Sequence, residues 1–466
     1  MTASIPTPGR VARRLRPFGR RPPVRQPLER LPGFSVPATA VVTLTDPAAY
    51  RRHLLRHIAQ ARRRIVIVAL YLQDDDAGRE LLDALYAARA AHPALTVEVF
   101  VDWHRAQRGL IGAGGGEGNA AMYRAYAARL GEGVAVYGVP VQTRELFGVL
   151  HLKGSVIDDT VIYSGASLND VYLAKHGRYR LDRYHLIDDR ALADSMAAFV
   201  QRYFRGSDAV CRLDRPAAPS ARELQGAIRR LRQRLQVARY ELPPEPPGAG
   251  GIVVTPLVGF GRTGNALNDT LLALLRSARS RVVLFTPYFN LPRPMRAVLG
   301  QLLRRGCSVD IVVGDKTAND FYIPPDQPFR RIGLLPYLYE GNLRRFARGH
   351  QAQIASGQLN VYLWKHGDNS FHLKGVFVDD EYALLTGNNL NPRAWALDLE
   401  NGLLLHDPDR LLRHQHQLEW NALLRHATRL EGYQGLDSAR NYPVTVRRTL
   451  RRLNRVRLDR FLNRLL

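Results

Sequence analysis

Apolar positions along this chain change period in a regular order. Residues 47–63 read as a helix, 65–71 as a strand, 77–90 as a helix and 96–101 as a strand, an alternation that predicts a parallel βαβ unit. The same order returns in the second half: 268–280 and 292–305 read as helices, 282–288 and 308–313 as strands. An internal duplication is therefore expected. Between the copies, 212–238 carries a basic, heptad-like helical pattern, and 242–251 (LPPEPPGAGG) is a breaker-rich linker. Five segments follow: a Pro/Arg-rich arm over 1–37, a first α/β domain over 38–211, a basic helix and linker over 212–251, a second α/β domain over 252–440, and a basic amphipathic segment over 441–466.

Composition narrows the picture. The longest purely apolar run, Ile65 to Leu72, has eight residues, whereas a membrane-spanning helix needs roughly 20. No span is expected. The N-terminal arginines are not followed by an apolar segment with a cleavage site, so the protein is expected to stay in the cytoplasm. Its two cysteines, Cys211 and Cys307, leave no cysteine-based zinc cluster and no disulfide framework. Net charge is +25, and residues 1–30 and 440–466 supply (8−1)+(9−1)=15 of it. Polyanions such as a membrane surface or nucleic acid are the expected partners. Of 67 basic residues, only five are lysines, at 153, 175, 316, 365 and 374.

Two of those lysines fall in a repeated pattern. His151-Leu152-Lys153 is followed by Asp158, and His372-Leu373-Lys374 by Asp379, at the same spacing. By chance the pattern should occur on the order of 0.01 times in a chain of this composition. Small polar residues follow each copy: Gly165-Ala166-Ser167-Leu168-Asn169 and Gly387-Asn388-Asn389-Leu390-Asn391. On a strand, the period of two places the His and Lys of each triplet on one face. Phosphoryl transfer through a covalent intermediate needs a nucleophile and an acid, which two histidines can divide between them. Two lysines with Ser and Asn donors can balance the charge on the phosphoryl oxygens, so no metal or other cofactor is required.

The stretches HLKGSVIDDTVIYSGASLN and FHLKGVFVDDEYALLTGNNLN resemble the paired HKD motifs of the phospholipase D superfamily. Within it, VDWHRAQRG (101–109), YGVPVQTRE (137–145), TPYFNLP (286–292), GDKTANDFYIP (314–324) and LNPRAWALDLEN (390–401) resemble the phosphatidylserine synthases of Gram-negative type. The second motif departs by one extra residue before Gly387. The resemblance implies two tandem α-β-α sandwich domains that share one active site at their interface. It implies phosphatidyl transfer from CDP-diacylglycerol to L-serine through a phosphatidyl-histidine. His151 is then the nucleophile and His372 the acid/base, with Lys153 and Lys374 on phosphate, and Asp158 and Asp379 securing the motif strands. Ser167, Asn169, Asn389 and Asn391 are the expected supporting donors, and Asp182 and Glu400 are expected to orient the histidines across the pseudo-twofold. A phospholipase D-type hydrolase, a cardiolipin-type synthase and a nuclease would use the same motifs and stand as alternatives.

Four further residues are candidates for substrate contact: Lys316 and Asp320 in the loop after a second-half strand, and His104 and Arg105 after a first-half strand. The glycine run 112–118 lacks the spacing of a phosphate-binding loop and reads as flexible. In the C-terminal segment Val446, Leu450 and Leu453 fall on one helical face and Arg447, Arg448, Arg451, Arg452 and Arg455 on the other. That pattern suits a peripheral anchor on anionic lipid at the inner membrane face, or a tail packed on the protein. The two basic ends also suit ribosome association.

Overall fold

The computed structural model describes residues 28–108, 118–216, 219–244 and 250–455. Residues 1–27, 456–466 and most of the glycine run lie outside that set.

Each half is built on one mixed sheet. The first runs, in spatial order, Cys211–Arg212, Ala135–Val139, Thr96–Asp102, Arg64–Ala69, Gly154–Ile157, Thr160–Ser164, Tyr184–Asp188 and Val41–Leu44. The second runs Phe34–Val36, Ile252–Gly259, Glu400–His406, Tyr382–Thr386, Gly375–Val378, Arg281–Thr286, Ser308–Gly314, Leu359–Trp364 and Ala427–Arg429. Six central strands follow the same order in both sheets, which bears out the duplication. The register repeats too: Val68 faces Gly154 and Phe285 faces Gly375, so each glycine three residues after a motif histidine meets the end of a buried parallel strand. These strands are apolar throughout because helices cover their faces. Asp75 caps the helix Asp76–Ala91 by accepting from the Gly78 amide, and Asn265 caps Ala266–Ser277 by accepting from that of Asn268.

Two expectations need correction. Residues 28–37 are not part of a solvated arm: Leu28–Arg30 forms a helical turn, and Phe34–Val36 pairs antiparallel with Ile252–Gly259. Five residues later the chain enters the other sheet as Val41–Leu44, so the segment laces the halves together. The interhalf segment 212–238 is helical only over Gln225–Gln236; Pro216 and Pro219 precede it and cannot sit within a continuous helix. Among the described residues, no helix is long and apolar enough to cross a membrane.

The halves meet through packed apolar surface. The core of the first half continues into Ala383, Leu385, Leu399, Leu403 and Leu405 of the second. Ser370–Phe371 pairs in parallel with Arg180–Leu181, and Leu150 bridges Leu399. The C-terminal helix Val444–Arg455 folds back: Val446 and Leu450 are buried with Leu334, Tyr337 and Tyr442. Its apolar stripe is thus occupied by protein rather than left for lipid, while Arg448, Arg451 and Arg452 face outward.

Candidate active site

The two His-x-Lys triplets lie in extended backbone just ahead of the strands Gly154–Ile157 and Gly375–Val378, not within them. What registers each triplet is the opposite half. The His151 amide donates to the Leu399 carbonyl at 2.9 Å, and the His372 amide donates to the Leu181 carbonyl at 2.8 Å. In each case the next residue after the acceptor is a carboxylate. Glu400 and Asp182 are thereby delivered to the motif histidines of the other half: His151 Nδ1 lies 2.9 Å from Glu400 Oε2, and His372 Nδ1 lies 3.2 Å from Asp182 Oδ2. Both of these contacts cross the interface between the halves. A carboxylate on Nδ1 favours the tautomer that leaves Nε2 unprotonated and available.

The lysines are sealed in as well, 2% and 0% exposed at Lys153 and Lys374. Lys374 Nζ donates to Asp182 Oδ2 at 2.7 Å and also contacts His372 Nδ1. Lys153 Nζ has no hydrogen-bond partner among the described residues. Its backbone is held by Asn401, whose Oδ1 accepts from the Lys153 amide at 2.9 Å and whose Nδ2 donates to the Lys153 carbonyl at 2.9 Å. Each lysine also presses on the other half's glycine: a Cβ at Gly387 would stand 2.9 Å from Lys153 Cγ, and one at Gly165 would stand 3.0 Å from Lys374 Nζ. Glycine is required at both positions for the motif of one half to close over the other.

Burial dominates the electrostatics. It pushes His151 well below the ordinary histidine range, with Lys153 and Lys374 adding to the effect. His372 is brought down to about 4 by burial and then Lys374, against the opposing pull of Asp182 and Asp320. Lys153 falls to about 7 through burial, partly offset by Glu400. Burial raises Glu400 well above the usual carboxylate range, and Asp398 adds to this. Asp182 stays below that range because Lys374 and His372 outweigh its burial. The two histidines therefore differ: His372 faces a carboxylate held below its usual range, and His151 faces one raised above it.

Asp158 and Asp379 face away from this cluster. Asp158 accepts from the amides of Arg62, Arg63 and Arg64 at 2.8 to 3.1 Å, and Asp379 from those of Arg279, Ser280 and Arg281 at 2.6 to 2.9 Å. Each carboxylate ties the hairpin after its motif to the start of the neighbouring strand. Both aspartates have left-handed backbone, φ 50° and 55°, a conformation that Asp tolerates better than most residues. They tie the motif hairpins to neighbouring strands and do not touch the His–Lys cluster.

The supporting residues divide. Ser167 and the half-buried Asn389 lie on equivalent loops after the motif hairpins, and Asn389 Oδ1 is buried without a partner among the described residues. Asn169 and Asn391 instead make local turns: Asn169 Oδ1 accepts from the Tyr172 amide at 3.0 Å, and Asn391 Oδ1 accepts from that of Ala394 at 2.9 Å, capping Pro392–Ala396. These bonds use the acceptor end of each side chain and not its Nδ2 donor, the group a phosphoryl oxygen would take. Asp320 enters the site, with its Oδ2 3.9 Å from His372 Nε2. Lys316 does not, since its ammonium is held by Glu340 at 3.0 Å and Asp437 at 2.5 Å. His104 Nε2 bonds the Gln142 carbonyl at 2.8 Å, and Arg105 pairs with Glu145 at 2.7 Å. Both hold the 142–147 loop.

Sequence reasoning missed three contributors. Tyr172 OH reaches His372 Nδ1 at 2.9 Å. Arg183, the residue after Asp182, is sandwiched 4.5 Å from the ring centroids of both Phe285 and Phe377, pairs with Glu419 at 2.7 Å and donates to the Lys374 carbonyl at 3.2 Å. Arg180 pairs with Asp320 at 2.8 Å. The only signal for Arg180 and Arg183 was nearness to Asp182, which itself needed the duplicated frame, and Tyr172 had none.

Comparison with known proteins agrees with this geometry. A family model described as cardiolipin synthase, PLD-like domain, matches residues 271–421. A CDP-diacylglycerol–serine O-phosphatidyltransferase of Escherichia coli strain K12 is 49% identical over 443 residues, covering 95% of this chain and 98% of the relative. One from Haemophilus influenzae is 45% identical over 445 residues, with 95% and 98% coverage. A crystal structure of phosphatidylserine synthase from Haemophilus influenzae Rd KW20 superposes with a TM-score of 0.91 at 44% identity, over 94% of this chain and 98% of that one. Two motifs crossed over one interface, and identity sustained along nearly the whole length, place this chain in the CDP-diacylglycerol–serine O-phosphatidyltransferase family of the phospholipase D superfamily.

Proposed function

We propose that the chain makes phosphatidylserine and CMP from CDP-diacylglycerol and L-serine in two displacements at the shared site. In the first, His151 Nε2 attacks the phosphorus that bears diacylglycerol; the bond to the CMP oxygen breaks, and CMP leaves with the electron pair. In the second, the serine hydroxyl gives its proton to His372 and attacks the same phosphorus, and the N–P bond returns its electrons to His151. Glu400 holds Nδ1 of the nucleophile. Lys153, with Lys374 behind it, balances the phosphoryl charge in a site too dry for water to do so.

The observation that carries this reading is a buried lysine amine, Lys153 Nζ, with no hydrogen-bond partner among the described residues, in a site where two histidines are crossed onto carboxylates. A buried unpaired charge is costly unless an anion completes it. Burial disfavours protonation of both histidines, but Asp182 and Asp320 oppose it at His372, which supports His151 as nucleophile and His372 as the group that handles a proton. Incubating pure protein with CDP-diacylglycerol and labelled serine in mixed micelles tests the activity. Labelled phosphatidylserine and equimolar CMP are expected; phosphatidic acid as the main product at saturating serine would contradict it.

Attachment to an anionic membrane surface is part of the same reading. A cavity of about 310 Å³ between Leu335–Gly349 and Val444–Arg455 is lined by Arg344, Arg345, Arg348, Arg440, Arg447 and Arg451, a concentration of charge that favours anionic headgroups. Ribosome association draws on the same charge and on the basic N-terminal residues.

A further inference from the structure

The duplication that builds the site is broken two residues before each orienting carboxylate. Arg180 precedes Asp182 in the first half, and Asp398 precedes Glu400 in the second. Asp398 is used internally: it pairs with Arg393 at 3.2 Å and accepts from the Val149 amide at 3.0 Å. Arg180 is placed differently. Its Nε lies 2.8 Å from Asp320 Oδ1 and 3.3 Å from Ser370 Oγ, and its guanidinium lies over the Tyr172 ring at 4.8 Å from the centroid. The Nη edge carries no hydrogen bond among the described residues. Asp320 is fixed from the other side by Tyr288, whose hydroxyl donates to Oδ2 at 2.9 Å. That same Oδ2 lies 3.9 Å from His372 Nε2, the nitrogen that the reading above assigns to the acceptor's proton.

A partly buried guanidinium and carboxylate in contact form a pair with no net charge. An amino acid zwitterion has the same property, with the two signs reversed and one carbon between them. We infer that Arg180 and Asp320 recognise the acceptor: the Nη edge of Arg180 takes the α-carboxylate of serine, and Asp320 takes its α-ammonium. The hydroxyl, three bonds from the nitrogen, then falls beside His372 Nε2. Planar guanidinium suits this task because it meets a carboxylate through two parallel hydrogen bonds, and Tyr172 fixes its plane. The burial of Asp320 would favour its neutral form, but Arg180 keeps it ionised, as an ammonium partner must be. The asymmetry thus lies where it has to lie. A duplicated frame accepts one nucleotide and one amino acid, and the position that breaks the symmetry adjoins the histidine on the amino acid's side.

The assignment of the acceptor to the His372 side rests on the proposed reaction, and the test separates the two. kcat/KM is measured for the full chain with CDP-diacylglycerol and three acceptors: L-serine, ethanolamine, which lacks the carboxylate, and 3-hydroxypropanoate, which lacks the ammonium. Wild type should strongly prefer serine. In Arg180→Gln the serine-over-ethanolamine ratio should fall at least about tenfold, with a smaller fall in Arg180→Lys, which keeps the charge but loses the fork. In Asp320→Asn the serine-over-3-hydroxypropanoate ratio should fall by at least about tenfold. Ratios cancel any loss of folded enzyme and do not depend on a covalent intermediate. Ratios within threefold of wild type in Arg180→Gln and Asp320→Asn would overturn the inference while leaving the transferase reading intact. Loss of all turnover in Arg180→Lys would overturn it too, because it would place the arginine in the chemical step. Failure of the wild type to make phosphatidylserine would refute the transferase reading instead.

Discussion

A close approach beside the carboxylate that crosses to His372 offers a sharp structural test. A Cβ on Gly165 would stand 2.6 Å from Asp182 Oδ1, 3.0 Å from its Oδ2 and 3.0 Å from Lys374 Nζ. The Gly165 backbone is not in the left-handed region, so Gly165→Ala acts by crowding alone. Ordinary contact begins near 3.4 Å, so the Asp182 oxygen must retreat by about 3.4−2.6=0.8 Å. Neither partner has free space: Asp182 is 2% exposed and Lys374 is fully buried. The retreat is transmitted to His372, which Asp182 holds at 3.2 Å. A misplacement of about 1 Å at a reacting group costs on the order of 100-fold in rate, and overpacking of this size costs about 1–3 kcal/mol of stability. The expectation for Gly165→Ala is a loss of about 100-fold in kcat with a moderate fall in melting temperature, read by serine incorporation and thermal denaturation. Gly387→Ala should be milder, since it needs a shift of only about 3.4−2.9=0.5 Å from a lysine methylene. Gly300→Ala is the control: it lies within the helix Arg293–Arg304 and meets only Arg304 Nη1 at 3.5 Å, so activity should be unchanged and stability raised by up to about 1 kcal/mol. A kcat for Gly165→Ala within threefold of wild type would refute the claim that the crossed carboxylate sets the geometry of His372.

Three other outcomes are expected. Lys153→Arg and Lys374→Arg should each lower kcat by about 100-fold or more, because a planar guanidinium does not fit a sealed site that holds a compact ammonium; near-normal kinetics would remove that argument. With the Lys153 pKa brought down to about 7, above that pH the lysine is neutral in the empty site, and an entering diphosphate restores its proton. Binding of CDP should therefore take up protons at pH 8 but hardly at pH 6, and the pH 8 uptake should vanish in Lys153→Ala, as read by calorimetry in buffers of different ionisation enthalpy. Truncation after Asn441 should lower the melting temperature by uncovering Leu334 and Tyr337, and should weaken salt-sensitive pelleting with anionic vesicles; equal binding by both forms would reject the C-terminal segment as a membrane contact.

The frame of the molecule was legible because buried parallel strands and their covering helices have distinct periods, and because the His-x-Lys-x-x-x-x-Asp pattern occurs twice. What stayed illegible depends on pairing across long sequence separations. Phe34–Val36 finds its partner at Ile252–Gly259, and three residues after a Pro/Arg-rich run carry no local sign of that. The stripe Val446, Leu450 and Leu453 satisfies a lipid surface and a protein groove equally well; only the position of Tyr337 and Tyr442 decides between them. Asn169 and Asn391 stand beside the motifs in sequence, and that their Oδ1 atoms also accept from backbone amides three residues on is turn chemistry that the repeated motif does not announce. Arg180 was hidden among 62 arginines. Its pairing with Asp320 joins the two halves of the chain and has no periodicity to announce it.

The central claim is that one site is assembled from both halves, with His151 carrying the phosphatidyl group and His372 handling the acceptor's proton. CMP is a phosphate leaving group and departs with little help from an acid, whereas serine attack needs a base. Single-turnover mass spectrometry of His372→Ala with CDP-diacylglycerol should therefore show one phosphatidyl group per chain, mapped to His151 after proteolysis, which persists when serine is added. Wild type should lose the adduct on serine addition, and His151→Ala should form none. An adduct on His372 in wild type, or CMP release only when serine is present, would contradict the account.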